Sequence, residues 1–118
     1  MARVLLLMAG LLMASIAQAQ PYQALSSPQT TEGTGVEVRE FFSYGCPHCH
    51  DFEPVIGVWA ESMGDQVTVV KTPVTFGRDS WRLLARAYYA AEALDIVGTT
   101  HSALFDAIHE DGRVFRDP

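Results

Sequence analysis

The chain reads as an α/β protein, a strand–helix–strand unit of a parallel sheet followed by an all-helical stretch. Three observations predict this. Residues 36–44 carry Val36, Val38, Phe41, Phe42 and Tyr44 on both parities, as in a strand covered on both faces. Phe52, Val55, Ile56, Trp59 and Met63 then recur at helical spacing. After Gly64 a second β-branched run follows, Val67, Val69, Val70 and Val74, and beyond it the composition shifts to an Ala-rich helical pattern.

Residues 1–19 precede this unit and have the form of a secretory signal. Arg3 supplies a small positive region, residues 4–16 an apolar stretch, and Ala17-Gln18-Ala19 a small-x-small cleavage site. The apolar stretch is shorter than the roughly 20 residues a membrane span needs, so a cleaved leader is expected rather than a stable membrane anchor. The mature protein then starts at Gln20. Export implies an oxidising compartment, where a disulfide persists.

The elements follow in order. Residues 22–25 are a short candidate strand, and 26–35 a loop rich in Ser, Thr, Gly and Pro. Gly45 turns the chain from the first long strand into Cys46. Pro47 suits the first helical position, where its missing N–H is no loss. Pro54 should kink the helix, because it cannot donate back to the carbonyl of His50. Pro73 marks the end of the second strand's pairing, or an edge. Asp79 or Ser80 is expected to cap a long helix to about Val97, with Trp81, Leu84, Tyr88 and Leu94 on its apolar stripe and Gly98 ending it. Thr99 or Thr100 then caps a last helix to about Glu110, carrying Leu104, Phe105 and Ile108.

The formal charge is −6, and loss of Arg3 with the leader makes it −7. No basic patch of the kind phosphate contacts require is visible, which argues against nucleic acid as a partner. The acidity is a solubility feature.

The chain has two cysteines, in the string Cys46-Pro47-His48-Cys49-His50. A lone pair at this spacing, between a strand and a helix start, reads as a redox disulfide. The thiolate is the nucleophile of disulfide exchange, so its pKa must be lowered. A helix N-terminus does this through its free N–H groups and dipole. Cys46 sits at the expected cap, and His48 adds a positive charge or a hydrogen bond. Cys49 follows three residues on, on the same face and within disulfide reach. Cys46, at the tip, is expected to be the sulfur attacked, and Cys49 the leaving group.

Three other readings stand beside this one. A plain structural disulfide gains little, because the loop it closes is very small. Zinc needs further ligands, and the spare histidines His50, His101 and His109 match no common zinc spacing. Cys-x-x-Cys-His is also the attachment signature of c-type haem, with Cys46 and Cys49 as thioethers, His50 axial and Met63 opposite. That reading makes the chain an electron carrier.

The run Glu40-Phe41-Phe42-Ser43-Tyr44-Gly45-Cys46-Pro47-His48-Cys49-His50-Asp51-Phe52-Glu53 closely resembles the DsbA family of periplasmic thiol:disulfide oxidoreductases. The resemblance implies a thioredoxin-like fold with an inserted helical domain. Residues 20–78 would be the first part of the thioredoxin-like domain, with the Cys-Pro-His-Cys active site, and 79–118 the beginning of the insertion. It implies an exported enzyme that donates the Cys46–Cys49 disulfide to folding proteins, needs no cofactor or metal, and is reoxidised by a membrane partner of the DsbB type. It also gives Glu40, Glu53 and Lys71 a role as a charge cluster beneath the cysteines that tunes their pKa alongside Pro47 and His48. A charge inside an otherwise apolar strand needs a partner in any case.

Members of that family are longer and carry a cis-proline loop facing the disulfide. Neither Pro73 nor Pro118 has the context to replace it. The expectation is therefore a C-terminally truncated chain with an unpaired sheet edge. It is either an oxidoreductase weakened by truncation or a non-catalytic thioredoxin-like fragment.

Overall fold

A computed structural model describes residues 22–116. The leader, residues 1–19, and Pro118 lie outside the described residues. The chain divides into two units, Met1–Thr30 and Thr31–Pro118. In the first, the expected strand at residues 22–25 does not form; Tyr22 and Leu25 are exposed. A strand is stabilised through cross-strand pairs, and this short segment has no ladder.

In the second unit the elements are β1 (Val36–Phe42), α1 (Pro47–Met63), a 3-10 turn (Gly64–Gln66), β2 (Val67–Pro73), α2 (Asp79–Ala93) and α3 (Val97–His109). β1 and β2 pair in parallel, in a register running from Val36 opposite Val67 to Phe42 opposite Pro73. Parallel strands need a crossover, and α1 supplies it. The pairing ends where Pro73 removes a donor; the Val74 N–H still reaches the Phe42 carbonyl at 2.7 Å.

Pro47 opens α1 and Pro54 lies inside it without ending it. The helix stops at Gly64, whose φ of 54° suits a residue without Cβ and whose N–H turns back to the carbonyls of Ala60 and Glu61.

The helical stretch breaks earlier than its glycine signals. α2 ends at Ala93 rather than near Val97, and Gly98 lies within the first turn of α3. The stop is a Schellman closure centred on Asp95, at φ 56°. The Asp95 N–H bonds the Glu92 carbonyl at 3.0 Å and the Ile96 N–H the Ala91 carbonyl at 2.9 Å. An aspartate thus does what the sequence assigns to Gly98. Leu94 falls in this turn and is exposed instead of joining the apolar stripe. Thr99 and Thr100 do not cap α3; both hydroxyls donate back to the Ile96 carbonyl from inside the helix. Arg78 holds the cap position of α2, one residue before Asp79.

Phe42, Tyr44, Leu84, Tyr88 and Phe105 form the core. It gathers at the C-terminal end of β1, where α2 and α3 close over it. Its rings meet edge to face, Phe42 and Tyr44 with centroids 5.1 Å apart, Tyr44 and Phe105 4.9 Å apart. Such pairs contribute about 0.5–1.5 kcal/mol each beyond simple burial. The expectation that β1 is covered on both faces fails among the described residues, since Val36 and Phe41 are exposed.

Candidate active site

The turn that delivers the cysteines is anchored from inside. Ser43 is buried; its carbonyl accepts the Cys46 N–H at 3.0 Å and its hydroxyl accepts the Gly45 N–H at 3.2 Å. Trp81 of α2 lies over the same turn. A Cβ at Gly45 would stand 2.5 Å from the indole Nε1, so only glycine admits the ring this closely. The Arg78 guanidinium stacks on that indole, 4.5 Å from its centroid.

Cys46 is the N-cap of α1, with extended backbone (φ −102°, ψ 113°) and no acidic residue in the first turn beside it. Its carbonyl accepts the N–H groups of Cys49 and His50 at 3.1 and 3.2 Å. The sulfur therefore sits in the positive field of the helix end. Both cysteines are half-buried free thiols, whereas Pro47 and His48 between them are exposed. Burial pushes the Cys49 thiol up to about 11; its hydrogen bond to Cys46 adds to this, the Ser43 backbone opposes it, and negative charge at Cys46 and Glu40 pushes the same way as burial. Cys49 therefore holds its proton at neutral pH.

The three charged residues Glu40, Lys71 and Glu53 come together. The sheet register sets Glu40 opposite Lys71. Lys71 Nζ donates to Glu40 Oε2 and to Glu53 Oε2, both at 2.7 Å. All three side chains are largely enclosed, at 8% exposure for Glu40, 17% for Glu53 and 19% for Lys71. At such sites a carboxylate persists only with a partner, and Lys71, the chain's one lysine, serves two. Burial pushes the Glu53 carboxyl up, but hydrogen bonds and positive charge from His101 and Lys71 outweigh it and leave Glu53 below its ordinary value.

Two residues the sequence reading left out complete this cluster. His101 of α3 is buried, with Nε2 3.1 Å from Glu53 Oε2 and Nδ1 2.8 Å from the Tyr44 hydroxyl. The contact to Glu53 is close but out of line for a hydrogen bond of good geometry. Tyr44, in the turn before Cys46, is fully buried, and burial pushes its phenol far up, so it stays protonated. The signal for His101 was available: it stands four residues before Phe105, on the same buried face. Treating it as a spare metal ligand hid that.

His50 is not a free surface residue either. Its ring stacks on His109, centroids 5.0 Å apart and 16° from parallel, with Nε2 3.4 Å from Asp106 Oδ1. His109 in turn donates Nε2–H to the Tyr44 carbonyl at 2.8 Å. The spare histidines thus tie α1 and the active-site turn to α3. Among the described residues no three His, Cys, Asp or Glu side chains converge to hold a metal ion.

No family model matches the chain. Known proteins do. The thiol:disulfide interchange protein DsbA of Burkholderia cepacia is 38% identical across 91% of this chain and 55% of its own length. That of Pseudomonas aeruginosa is 38% identical across 98% of this chain and 60% of its own length. The chain belongs to the DsbA family. Crystal structures of DsbA from Xylella fastidiosa and from Pseudomonas aeruginosa superpose with TM-scores of 0.65 and 0.63, at 36% and 38% identity. They match 70% and 75% of this chain, and 45% and 46% of theirs. The fold is therefore the thioredoxin-like one of DsbA. The chain spans about half the length of the DsbA proteins it matches.

DsbA membership leaves the haem reading without support, and geometry argues against its ligand pair. Met63 closes α1, thirteen residues after His50. At a rise of about 1.5 Å per residue that separates them by about 20 Å, too far to face each other across one iron.

Proposed function

We propose that the chain carries the reaction centre of an exported thiol:disulfide oxidoreductase that oxidises folding proteins in the periplasm. The observation that supports this most is the asymmetry of the pair: Cys46 at a helix N-terminus, Cys49 beside it holding its proton. A substrate thiolate attacks Cys46 Sγ of the Cys46–Cys49 disulfide. The S–S bond breaks, a mixed disulfide forms on Cys46, and Cys49 leaves and takes up a proton. A second substrate thiolate attacks the substrate sulfur of the mixed disulfide, and Cys46 departs as the thiolate. The substrate loses two electrons and the cysteine pair gains them. Thiolate stability at the helix end drives the second step, because a better leaving group leaves faster.

In this reading Pro47 and His48 tune the exposed tip, and Glu40, Lys71 and Glu53 set the charge beneath it. Residues 1–19 act as a cleaved signal peptide, residues 20–78 as the first part of the thioredoxin-like domain and 79–118 as the start of the helical insertion. A membrane reoxidant of the DsbB type restores the disulfide. Among the described residues no helix is long and apolar enough to cross a membrane.

Oxidative refolding of a reduced, disulfide-containing substrate tests the proposal. The oxidised protein should speed disulfide formation one-for-one with its own reduction, and Cys46→Ser should abolish this. A protein that exchanges its disulfide with glutathione but oxidises no protein substrate would be a non-catalytic thioredoxin-like fragment.

A further inference from the structure

His101 is a buried, titratable side chain that disulfide exchange does not by itself require. It is 5% exposed, yet its two ring nitrogens face two different parts of the reaction centre. Nδ1 meets the Tyr44 hydroxyl at 2.8 Å, two residues before Cys46 in the chain. Nε2 meets Glu53 Oε2 at 3.1 Å, the same oxygen that accepts from Lys71 at 2.7 Å. The carboxylate accepts only, so the contact to Glu53 calls for a His101 proton on Nε2, while the Tyr44 hydroxyl can pair with Nδ1 as donor or as acceptor. Groups of five elements surround the ring: Tyr44 after β1, Glu53 of α1 with Lys71 of β2 and Glu40 of β1 behind it, Tyr88 of α2, and Phe105 of α3 itself.

We propose that His101 is a positioning residue for the cysteine pair. From the helical layer its Nε2, 3.1 Å from Glu53 Oε2, steadies that carboxylate in its bridge to Lys71 by close electrostatic contact rather than by an aligned hydrogen bond, and so fixes the charge that acts on Cys49. One oxygen of Glu53 takes both contacts, so a rotation of that carboxylate loosens Lys71 as well. Lys71 also holds Glu40, whose charge acts on Cys49. Contacts run from His101 through Glu53 and Lys71 to Glu40, and the charge of Glu40 then acts on Cys49 through space. This builds on the redox role proposed above.

Two variants separate this from a packing role. Gln in place of His101 keeps a donor near the Nε2 position and gives up the Nδ1 contact. Asn keeps a polar atom near Nδ1 and gives up the donor to Glu53. In the dilute, monomeric protein, the equilibrium constant of the pair with glutathione should shift about fivefold in His101→Asn, the low end of coupling between separate sites. His101→Gln should restore it to near the unsubstituted value. Equal shifts in both, or none in either, overturn the proposal. Long-range ¹H–¹⁵N spectra of the unsubstituted protein give a second reading independent of redox activity. A proton on Nε2, whether the ring is neutral or charged, supports it; a neutral ring with its proton on Nδ1 overturns it. Absence of any glutathione exchange would instead strike the redox role itself and leave the spectroscopic test standing.

Discussion

The Tyr44 hydroxyl lies 2.8 Å from Nδ1 of His101, which joins the turn before the cysteines to the middle of α3. Both residues are buried, at 1% and 5% exposure, so neither has water as a substitute partner. Tyr44→Phe keeps the ring packing and removes only the hydroxyl. It leaves an enclosed nitrogen unpaired, which costs about 1–3 kcal/mol. Urea unfolding should report that loss with an unchanged slope.

Lys71 is the hub of the charge cluster. Lys71→Met leaves Glu40 and Glu53 enclosed without their shared cation. Breaking a buried ion pair from one side costs about 3–5 kcal/mol, and the residual exposure here places the expected loss near the lower end. Glu40→Gln has a subtler effect. The Glu40 charge helps hold the proton on Cys49, so its removal should lower the Cys49 pKa from about 11, which the thiolate absorbance at 240 nm reads directly.

Acid should weaken the fold through Glu53. Its folded pKa lies below the ordinary 4.5 because His101 and Lys71 outweigh burial. The stabilisation is therefore complete above 4.5 and is lost as the pH falls through the folded value. Thermal unfolding followed from pH 6 downward should show a declining midpoint below about 4.5, and Glu53→Gln should flatten that part of the curve.

Gly45 makes the closest approach in the active-site turn. A methyl group there collides with the Trp81 indole, 2.5 Å away. Gly45→Ala should displace the ring and destabilise the protein by about 1–3 kcal/mol, the usual cost of overpacking. A shift in tryptophan emission absent from a Trp81→Phe background would locate the change at Trp81 rather than at Trp59.

The sequence carried much of this, for physical reasons that differ from element to element. The parallel unit was readable because Val-rich strands and the helical spacing from Phe52 to Met63 follow local periodicity. The cysteine motif was readable because its spacing is short and its flanks are distinctive. Glu40 and Lys71 stood out as charges in apolar strands. Less visible was whatever depends on tertiary approach. His101 looked like a loose histidine until α3 folded back over Tyr44. Asp95 replaced Gly98 as the helix stop because a Schellman closure tolerates aspartate at positive φ, a choice that glycine counting misses. Residues 22–25 had strand character, but a strand also needs a neighbour.

The most direct test of the central claim is which thiol ionises first. The reduced protein should be treated with a limiting amount of iodoacetamide at neutral pH and the labelled cysteine identified by mass spectrometry. The helix-end position of Cys46 and the retained proton of Cys49 predict alkylation at Cys46, with Cys49 modified only at high pH. Equal labelling, or faster labelling at Cys49, would contradict the assignment of Cys46 as the reactive sulfur.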